Sequence, residues 1–337
     1  MNKHQEIIAN VTSKNIFIQT HNFPDPDAIS SAFGLQYLLK LNGIEATICY
    51  KGKIDRFNTR KMMELFGIEA INVDRLGAAL TDSEIILIDA QKKSGNTYDL
   101  QASKVISIDH HPIYEKYDYE YADIREDVGA CASIIASYFV ESNIEVPQNV
   151  ATALLYGIKI DTAQMTRGVS KLDLDMFYKL FFSANKEQIA FLESNAVMLE
   201  DLKAYGSAIE SISVEDGISF ANTGKDCPEA LIAAIADFMV ELQDVYFSVV
   251  YSVRREGIKI SVRSENHGGC HAGEIVIEAL EGMGTAGGHQ SMAGGYVSFR
   301  SNKEPVDVLI NRIKENFKRI AVKYRDKCAA KTIKRVI

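Results

Sequence analysis

The first half of the chain alternates short apolar runs with stretches of helical periodicity. Segments 15–20 (NIFIQT), 46–50 (ATICY), 84–90 (EIILIDA) and 104–110 (KVISIDH) are rich in Ile, Val and Phe, and each leads into polar or helical sequence. Near-continuous apolar strands spaced in this way predict a parallel sheet buried on both faces. From 27 to about 40, the positions of Ile29, Phe33, Leu35, Leu38 and Leu39 predict a helix after the first strand, with Asp27 as its candidate cap. Segment 150–160 (VATALLYGIKI) reads as a buried helix running into a turn at Asp161.

The second half repeats an α/β pattern in different order. Residues 171–210 read as helical, with Leu172, Met176, Leu180, Ile189, Leu192 and Leu199 as apolar positions. Beyond them come ISVEDGISFAN, a helix around 227–243, and two runs, YFSVVYSVRREG and IKISVRS, that predict a hairpin turning at Arg255-Glu256-Gly257. After Pro305 a terminal helix is expected. The expected fold class is therefore α/β. A parallel-sheet N-terminal domain (1–185) leads through a helical linker (186–210) to a smaller α/β domain (211–337), with the active site in the cleft between the two.

Composition changes this picture in three ways. At 337 residues and 47% hydrophobic content, each half can bury its own core. No apolar run has the length of a membrane span and MNKHQEIIAN lacks the pattern of a signal peptide, so the expectation is a cytoplasmic protein with no membrane partner. Cys49, Cys131, Cys227, Cys270 and Cys328 are odd in number and never form CxxC, so they read as free thiols.

Charge adds a further constraint. The net charge of −8 combines a tail, 318–337, of +7 with a body of −15. An acidic body is a poor track for a long polyanion, because sequence-independent affinity for nucleic acid comes from many Lys and Arg contacts to phosphates. A phosphate-bearing substrate would be small or short. The basic tail reads foremost as the solvated face of a terminal helix, with an RNA-binding arm as the alternative.

Candidate chemistry gathers at the ends of the apolar segments. His21, Asp25 and Asp27 lie in HNFPDPD, Asp89 in ILIDAQ, Asp109, His110 and His111 in ISIDHHP, and Asp161 in YGIKIDT. In parallel sheets ligands collect beyond the carboxyl ends of the strands, so these distant residues can converge. Carboxylates and imidazoles in such number are what two divalent cations need side by side.

Asp89, alone at a strand end, is the natural bridge. His21 and Asp25 would complete one position, and Asp27, His110 and Asp161 the other. Histidine plus carboxylate with open positions suits Mn²⁺ better than Ca²⁺. Asp109 is placed to orient an imidazole, and His111 to contact a phosphate oxygen or the leaving group. The chemistry expected is hydrolysis of a phosphate ester, with Asp109 and His111 as the catalytic pair.

These segments resemble the motifs of the DHH phosphoesterase superfamily, named for the triplet that stands here as Asp109-His110-His111. The resemblance covers residues 15–165 and implies two Mn²⁺ ions, held by His21, Asp25 and Asp89 and by Asp27, Asp89, His110 and Asp161. Two departures stand out: Pro26 where Gly is frequent, and TAQMTRG after Asp161 in place of the more usual Gly and aromatic residues.

In the second half, GTAGGHQSMAGG (284–295) is similar to the DHH-associated C-terminal domain, with Gly287, Gly288, His289, Ala293 and Gly294 matching its pattern. A Gly-rich loop can aim N–H groups at an anion, and Arg263 with Ser264 at a strand end could add a charged fork and a hydroxyl. The expected substrate contacts are therefore Arg263, Ser264, Gly287, Gly288 and His289.

Within the superfamily the two-domain plan is most similar to NrnA-type nanoRNases, also called oligoribonuclease/pAp phosphatases. That likeness implies short RNA or a linear dinucleotide as substrate, with pAp as another and a homodimer left open. The alternatives are a cyclic dinucleotide phosphodiesterase, a single-strand DNA exonuclease, and a non-enzymatic nucleotide-binding regulator. An inorganic pyrophosphatase would need a more Lys/Arg-rich second domain. His267 and His271 flank Gly268-Gly269-Cys270, but no convincingly spaced carboxylate or thiol makes a third metal site there.

Overall fold

A computed structural model describes all residues except 1, 55–56, 78–82, 114, 195–197, 266–270 and 337, and describes only the backbone over 327–336. His267 and Cys270 therefore lie outside the described residues. The chain divides into two compact units, Met1–Ala196 and Val197–Ile337.

In the first unit β1 (Ile16–Thr20), β2 (Ala46–Tyr50), β3 (Ala70–Asn72), β4 (Glu84–Ile88), β5 (Lys104–Asp109) and β6 (Tyr121–Ile124) form one sheet in the order β3-β2-β1-β4-β5-β6. Every neighbouring pair is parallel. The order reverses at β1, whose two neighbours are reached by separate crossovers, and this opens a crevice at the carboxyl ends of β1 and β4.

Strand alternation divides the core in two. Ile16, Ile18, Ile86, Ile88, Ile106 and Ile108 face one layer, into which α2 (Pro26–Leu41), α4 (Cys131–Glu141) and α5 (Gln148–Asp161) also pack. Phe17, Ile85, Leu87 and Val105 face the other, against Val73 and Leu100. Helix α2 buries residues on most of its circumference because it lies between sheet and helices.

Two more helices, α1 (Lys3–Asn10) and α3 (Phe57–Phe66), complete this half. Helices α6 (Lys171–Ser183) and α7 (Lys186–Glu193) finish the unit. The segment expected as a linker is shared out between the two units. Helix α7 seals Ile189 and Leu192 into the first core, and α8 (Leu202–Ser211) buries Ala208 in the second unit. Both helices are amphipathic, and an apolar face is stable only when covered.

The second unit is a mixed sheet ordered β11-β12-β10-β9-β8-β7. Its strands are β7 (Ser213–Glu215), β8 (Ile218–Lys225), β9 (Phe247–Val253), β10 (Gly257–Ser264), β11 (Thr285–Gly288) and β12 (Met292–Ser298). Only β8 and β9 pair in parallel, joined by α9 (Glu229–Val240). The expected hairpin connects β9 and β10. Helices α10 (Ala272–Ala279) and α11 (Val306–Val336) cover one face, with α11 presenting Leu309, Ile313, Phe317, Ile320 and Ala321 at helical spacing. Among the described residues no helix is long and apolar enough to cross a membrane.

The position of Asp161 depends on how closely α5 approaches α2. Gly157 makes that approach possible: a Cβ there would stand 2.2 Å from Ser30 Oγ and 3.2 Å from Asp27 Oδ1. Gly157→Ala should cost about 1–3 kcal/mol by overpacking. Gly206→Ala in α8, where a Cβ meets nothing within 4 Å, should stabilise by about 0.5–1 kcal/mol. Urea unfolding of the two variants reads these opposite signs.

Candidate metal centre

The loop after β1 is built to present its acids. Asp25 caps α2, its Oδ1 accepting the N–H groups of Asp27 and Ala28 at 3.0 and 3.1 Å. Pro26 follows as the first helical residue, where a missing N–H costs nothing and its fixed φ already suits the helix. This is why proline is tolerated where glycine is frequent. The expectation that Asp27 caps α2 is corrected: Asp27 is buried and caps α4 instead, accepting from Cys131 N at 2.7 Å and Ala132 N at 2.9 Å. Helix α4 has no side-chain cap of its own.

Asp89, one residue past β4, has φ of +54°, left-handed backbone that Asp tolerates better than most residues. Its N–H continues the ladder to Ile108 O at 2.9 Å. The turn aims its two oxygens in different directions. Oδ2 stands 3.6 Å from His21 Nε2, while Oδ1 stands 3.3 Å from His110 Nε2 and 3.5 Å from His111 Nδ1.

Backbone carbonyls set the histidine tautomers. His21 Nδ1–H donates to Asn22 O at 2.8 Å and His110 Nδ1–H to Val128 O at 3.1 Å, so each ring turns Nε2 toward the carboxylates. His21 Nε2 lies 3.8 Å from Asp25 Oδ1, and His110 Nε2 lies 3.3 Å from Asp161 Oδ2. His111 differs, because its Nδ1–H donates to Asp109 Oδ1 at 2.8 Å. Asp109 is itself held by Gln91 Nε2 at 2.8 Å.

Three overlapping groups thus place ligand atoms within 4.8 Å of one another: His21, Asp25 and Asp89; Asp27, His110 and Asp161; and Asp89, Asp109, His110 and His111. All eight residues singled out in the first half of the sequence come together. Whether they fit cations can be tested on one atom. Asp89 Oδ1 is buried and makes no well-formed hydrogen bond, being faced by the His110 and His111 nitrogens at 3.3 and 3.5 Å, so its charge is only partly answered by the protein. The donor set, imidazole nitrogen and carboxylate oxygen without thiolate, fits a hard or borderline divalent ion.

Protonation follows from crowding. Burial opposes charge on His21, but Asp25 and Asp89 outweigh it and raise its pKa to about 9. Burial is likewise overcome at His110 by Asp89 and Asp161, and at His111 by Asp109 and Asp89, so both are raised. Burial, with Asp25 and Asp89 beside it and His110 opposing, lifts Asp161 to about 6. Burial, Asp89 and Asp161 also drive Asp27 up, with His110 opposing. Burial would raise Asp109, yet His111, His110 and Gln91 hold it below the usual range.

Two residues absent from the sequence reading belong to this region. Gln91 had a usable signal as the last residue of ILIDAQ. Arg167, whose Nη2 donates to Asp161 O at 2.9 Å, had none, because a left-handed turn at Ala163, Gln164 and Met165 brings it back.

The expected contacts in the second unit are arranged differently. Arg263 is buried, paired with Asp237 (Nε–Oδ1 2.5 Å) and donating to Ser261 Oγ and Val262 O at 3.0 Å, so its fork is already occupied. Ser264 is buried beside it and its N–H donates to Ser291 O. The Gly-rich segment is the hairpin of β11 and β12, pairing Gly287 with Gly294 and Gly288 with Ala293. The His289 N–H closes that turn on Met292 O, and the carbonyls of His289 and Gln290 accept from Gly273 and Ala272 at the start of α10.

An α/β domain with a cation-adapted cluster at its switch point is the plan of a metal-centred enzyme. Residues 15–158 match the DHH family, N-terminal domain, and residues 216–319 match the DHHA1 domain. These matches place a DHH-family domain in the first unit and a DHHA1 domain in the second.

It is 30% identical over 284 residues to an uncharacterized protein of Methanocaldococcus jannaschii, matching 84% of this chain and 58% of that one. It is also 32% identical over 149 residues to a probable manganese-dependent inorganic pyrophosphatase of Streptococcus thermophilus, 44% of this chain and 48% of that protein. The chain thus spans little more than half the length of the first relative and about half that of the second. An exopolyphosphatase-related protein from Bacteroides fragilis shares the fold, with a TM-score of 0.76 at 17% identity over 98% of this chain and 100% of that one.

The raised groups bind protons more tightly folded than unfolded. Their stabilisation is full below the unfolded value and fades as pH climbs through the folded one. For His21 that window runs from 6.5 to about 9 and is worth on the order of 3 kcal/mol. Thermal melts of EDTA-treated protein should show Tm falling from pH 6.5 to 9, and His21→Asn should flatten the decline. A Tm that rises over this range would contradict the assigned crowding.

Proposed function

We propose that the protein is a Mn²⁺-dependent phosphodiesterase of short nucleotides. It would hydrolyse linear dinucleotides and oligoribonucleotides a few residues long, with pAp as a further substrate. The observation that carries the reading is the two-sided presentation of Asp89, one oxygen toward His21 and the other toward His110. His21, Asp25 and Asp89 would hold one ion, and Asp27, Asp89, His110 and Asp161 the other. Asp27 Oδ2 accepts one N–H bond, from Cys131, and so keeps a lone pair for this role, whereas Oδ1 accepts from Ala132 N and from Ser31 Oγ at 3.5 Å. Manganese is supported by the donor chemistry and by the streptococcal relative's name.

A pair of divalent cations supplies, when bound, an acidified attacking water and positive charge opposite the phosphoryl oxygens. The protein's own groups do the rest. Asp109 fixes His111 through Nδ1, which leaves Nε2 to carry a proton. In that state His111 donates to a phosphate oxygen and passes the proton to the departing alkoxide. Gln91 keeps Asp109 turned toward it by also donating to His111 O at 3.0 Å.

A pyrophosphatase reading draws on the streptococcal similarity, but that match spans 149 residues, under half the chain. Some of the cations that pyrophosphate could call on are committed: in the second unit Lys259, Arg263, Arg300, Arg312, Lys318 and Lys323 are each paired with an acid.

The test uses purified protein with Mn²⁺ and pApA, pAp or pyrophosphate. Release of AMP from pApA, or of phosphate from pAp, is expected in preference to pyrophosphate cleavage. Asp89→Asn keeps a residue that accepts left-handed backbone and should lower turnover by on the order of a thousandfold or more, with loss of Mn²⁺ binding by calorimetry. Full activity in this variant would refute the bridge.

A further inference from the structure

Phe23 stands between His21 and Asp25 in a conformation that needs explaining. Its φ is +56°, where a bulky side chain is a genuine outlier, and the ring is 58% exposed. Strain and exposure of a large apolar ring are two costs that folding alone does not repay.

The surroundings hold the ring in place. The Phe23 N–H donates to Lys51 O at 3.0 Å. Gly52, itself left-handed at φ +87°, lies against the ring: a Cβ there would stand 2.8–3.0 Å from three ring atoms. Asn22 ties the same loop to 96–98, donating to Asn96 O at 2.6 Å and accepting from Tyr98 N at 3.0 Å. Tyr98 is 43% exposed, with Lys51 Nζ, which is also paired with Asp74, 4.8 Å from its ring centroid. Two exposed aromatic rings and a lysine thus share one rim, beside the His21 end of the carboxylate cluster.

We propose that Phe23 is a stacking platform for the base of a nucleotide whose phosphate lies at the cluster, with Tyr98 and Lys51 flanking it. Inorganic phosphates have no group to place on such a ring, whereas every nucleobase offers a flat face. The inference deepens the nucleotide reading above and rests on it for the identity of the ligand.

The test compares AMP with ribose 5-phosphate, which share phosphate and sugar and differ in the base, by calorimetry on Mn²⁺-loaded protein. Wild type should bind AMP roughly tenfold or more tightly, the range expected for one base stacked on an aromatic ring. Phe23→Ala and Phe23→Asn should bring the two ligands to within about twofold, and Phe23→Tyr should restore the preference. Asn accepts left-handed backbone, so Phe23→Asn should melt no lower than wild type and separates loss of the ring from loss of the fold.

Equal binding of the two ligands to wild type would overturn the platform, as would a preference that survives both ring-removing variants. Failure of the nucleotide reading looks different: pyrophosphate would be cleaved and pApA left intact. The ratio of the two affinities still reads the platform in that case.

Discussion

The structure depends on one electrostatic constraint, the confinement of Asp25, Asp27, Asp89, Asp109 and Asp161 around a single crevice. Buried like charges repel and each loses hydration, so such a cluster holds only if something positive answers it. Three imidazoles answer in part, which is why their pKa values rise together while Asp27 and Asp161 are pushed toward their neutral forms. Asp89 Oδ1 remains without a well-formed hydrogen bond. A divalent cation on each side of Asp89 would remove the repulsion and answer that oxygen, and would displace the protons that the metal-free protein holds.

The fold contains this conflict by making the acids structural. Asp25 begins α2, Asp27 begins α4, and Asp109 organises the chain after β5 through His111, His110 N–H and Gln91. Helix N-termini favour negative charge, so two of the carboxylates are partly compensated by the elements they start. The same bonds fix each side chain's direction. Stability and preorganisation therefore come from the same contacts, and a change that loosens a cap also displaces a ligand atom.

Most of the first unit was legible from sequence because its strands are buried on both faces and end in acids. Periodicity located β1, β2, β4 and β5, strand-end position located seven of the cluster residues, and Asp161 stood out at the end of a buried helix. Asp27 was read as the cap of α2, a role that Asp25 takes, because its own cap on a helix a hundred residues away leaves no local signal. The second unit misled where composition was taken for conformation. Glycines at 287, 288, 294 and 295 serve close strand pairing, with Gly288 at φ +151° and Ala293 Cα 2.3 Å from where its Cβ would be. Arg263 looked available only because Asp237, its partner, is distant in sequence.

Strain marks what neither periodicity nor motif reveals. Asp89, Phe23 and the run Ala163–Gln164–Met165 are all left-handed without being glycine, and all adjoin the cluster. Left-handed residues cost roughly 1–2 kcal/mol each; Asn143, Asp216, Asp226 and Asp244 adopt the same conformation elsewhere, so what sets these residues apart is what each places beside the cluster. Asp89 gains two directions for one carboxylate, the 163–165 turn returns Arg167 to Asp161, and Phe23 gains an exposed ring. A catalyst for pyrophosphate would have use for the first two. The third would serve a substrate with an aromatic face, and on the proposed reading it would distinguish a nucleotide from the inorganic phosphates that the same carboxylates could otherwise accept.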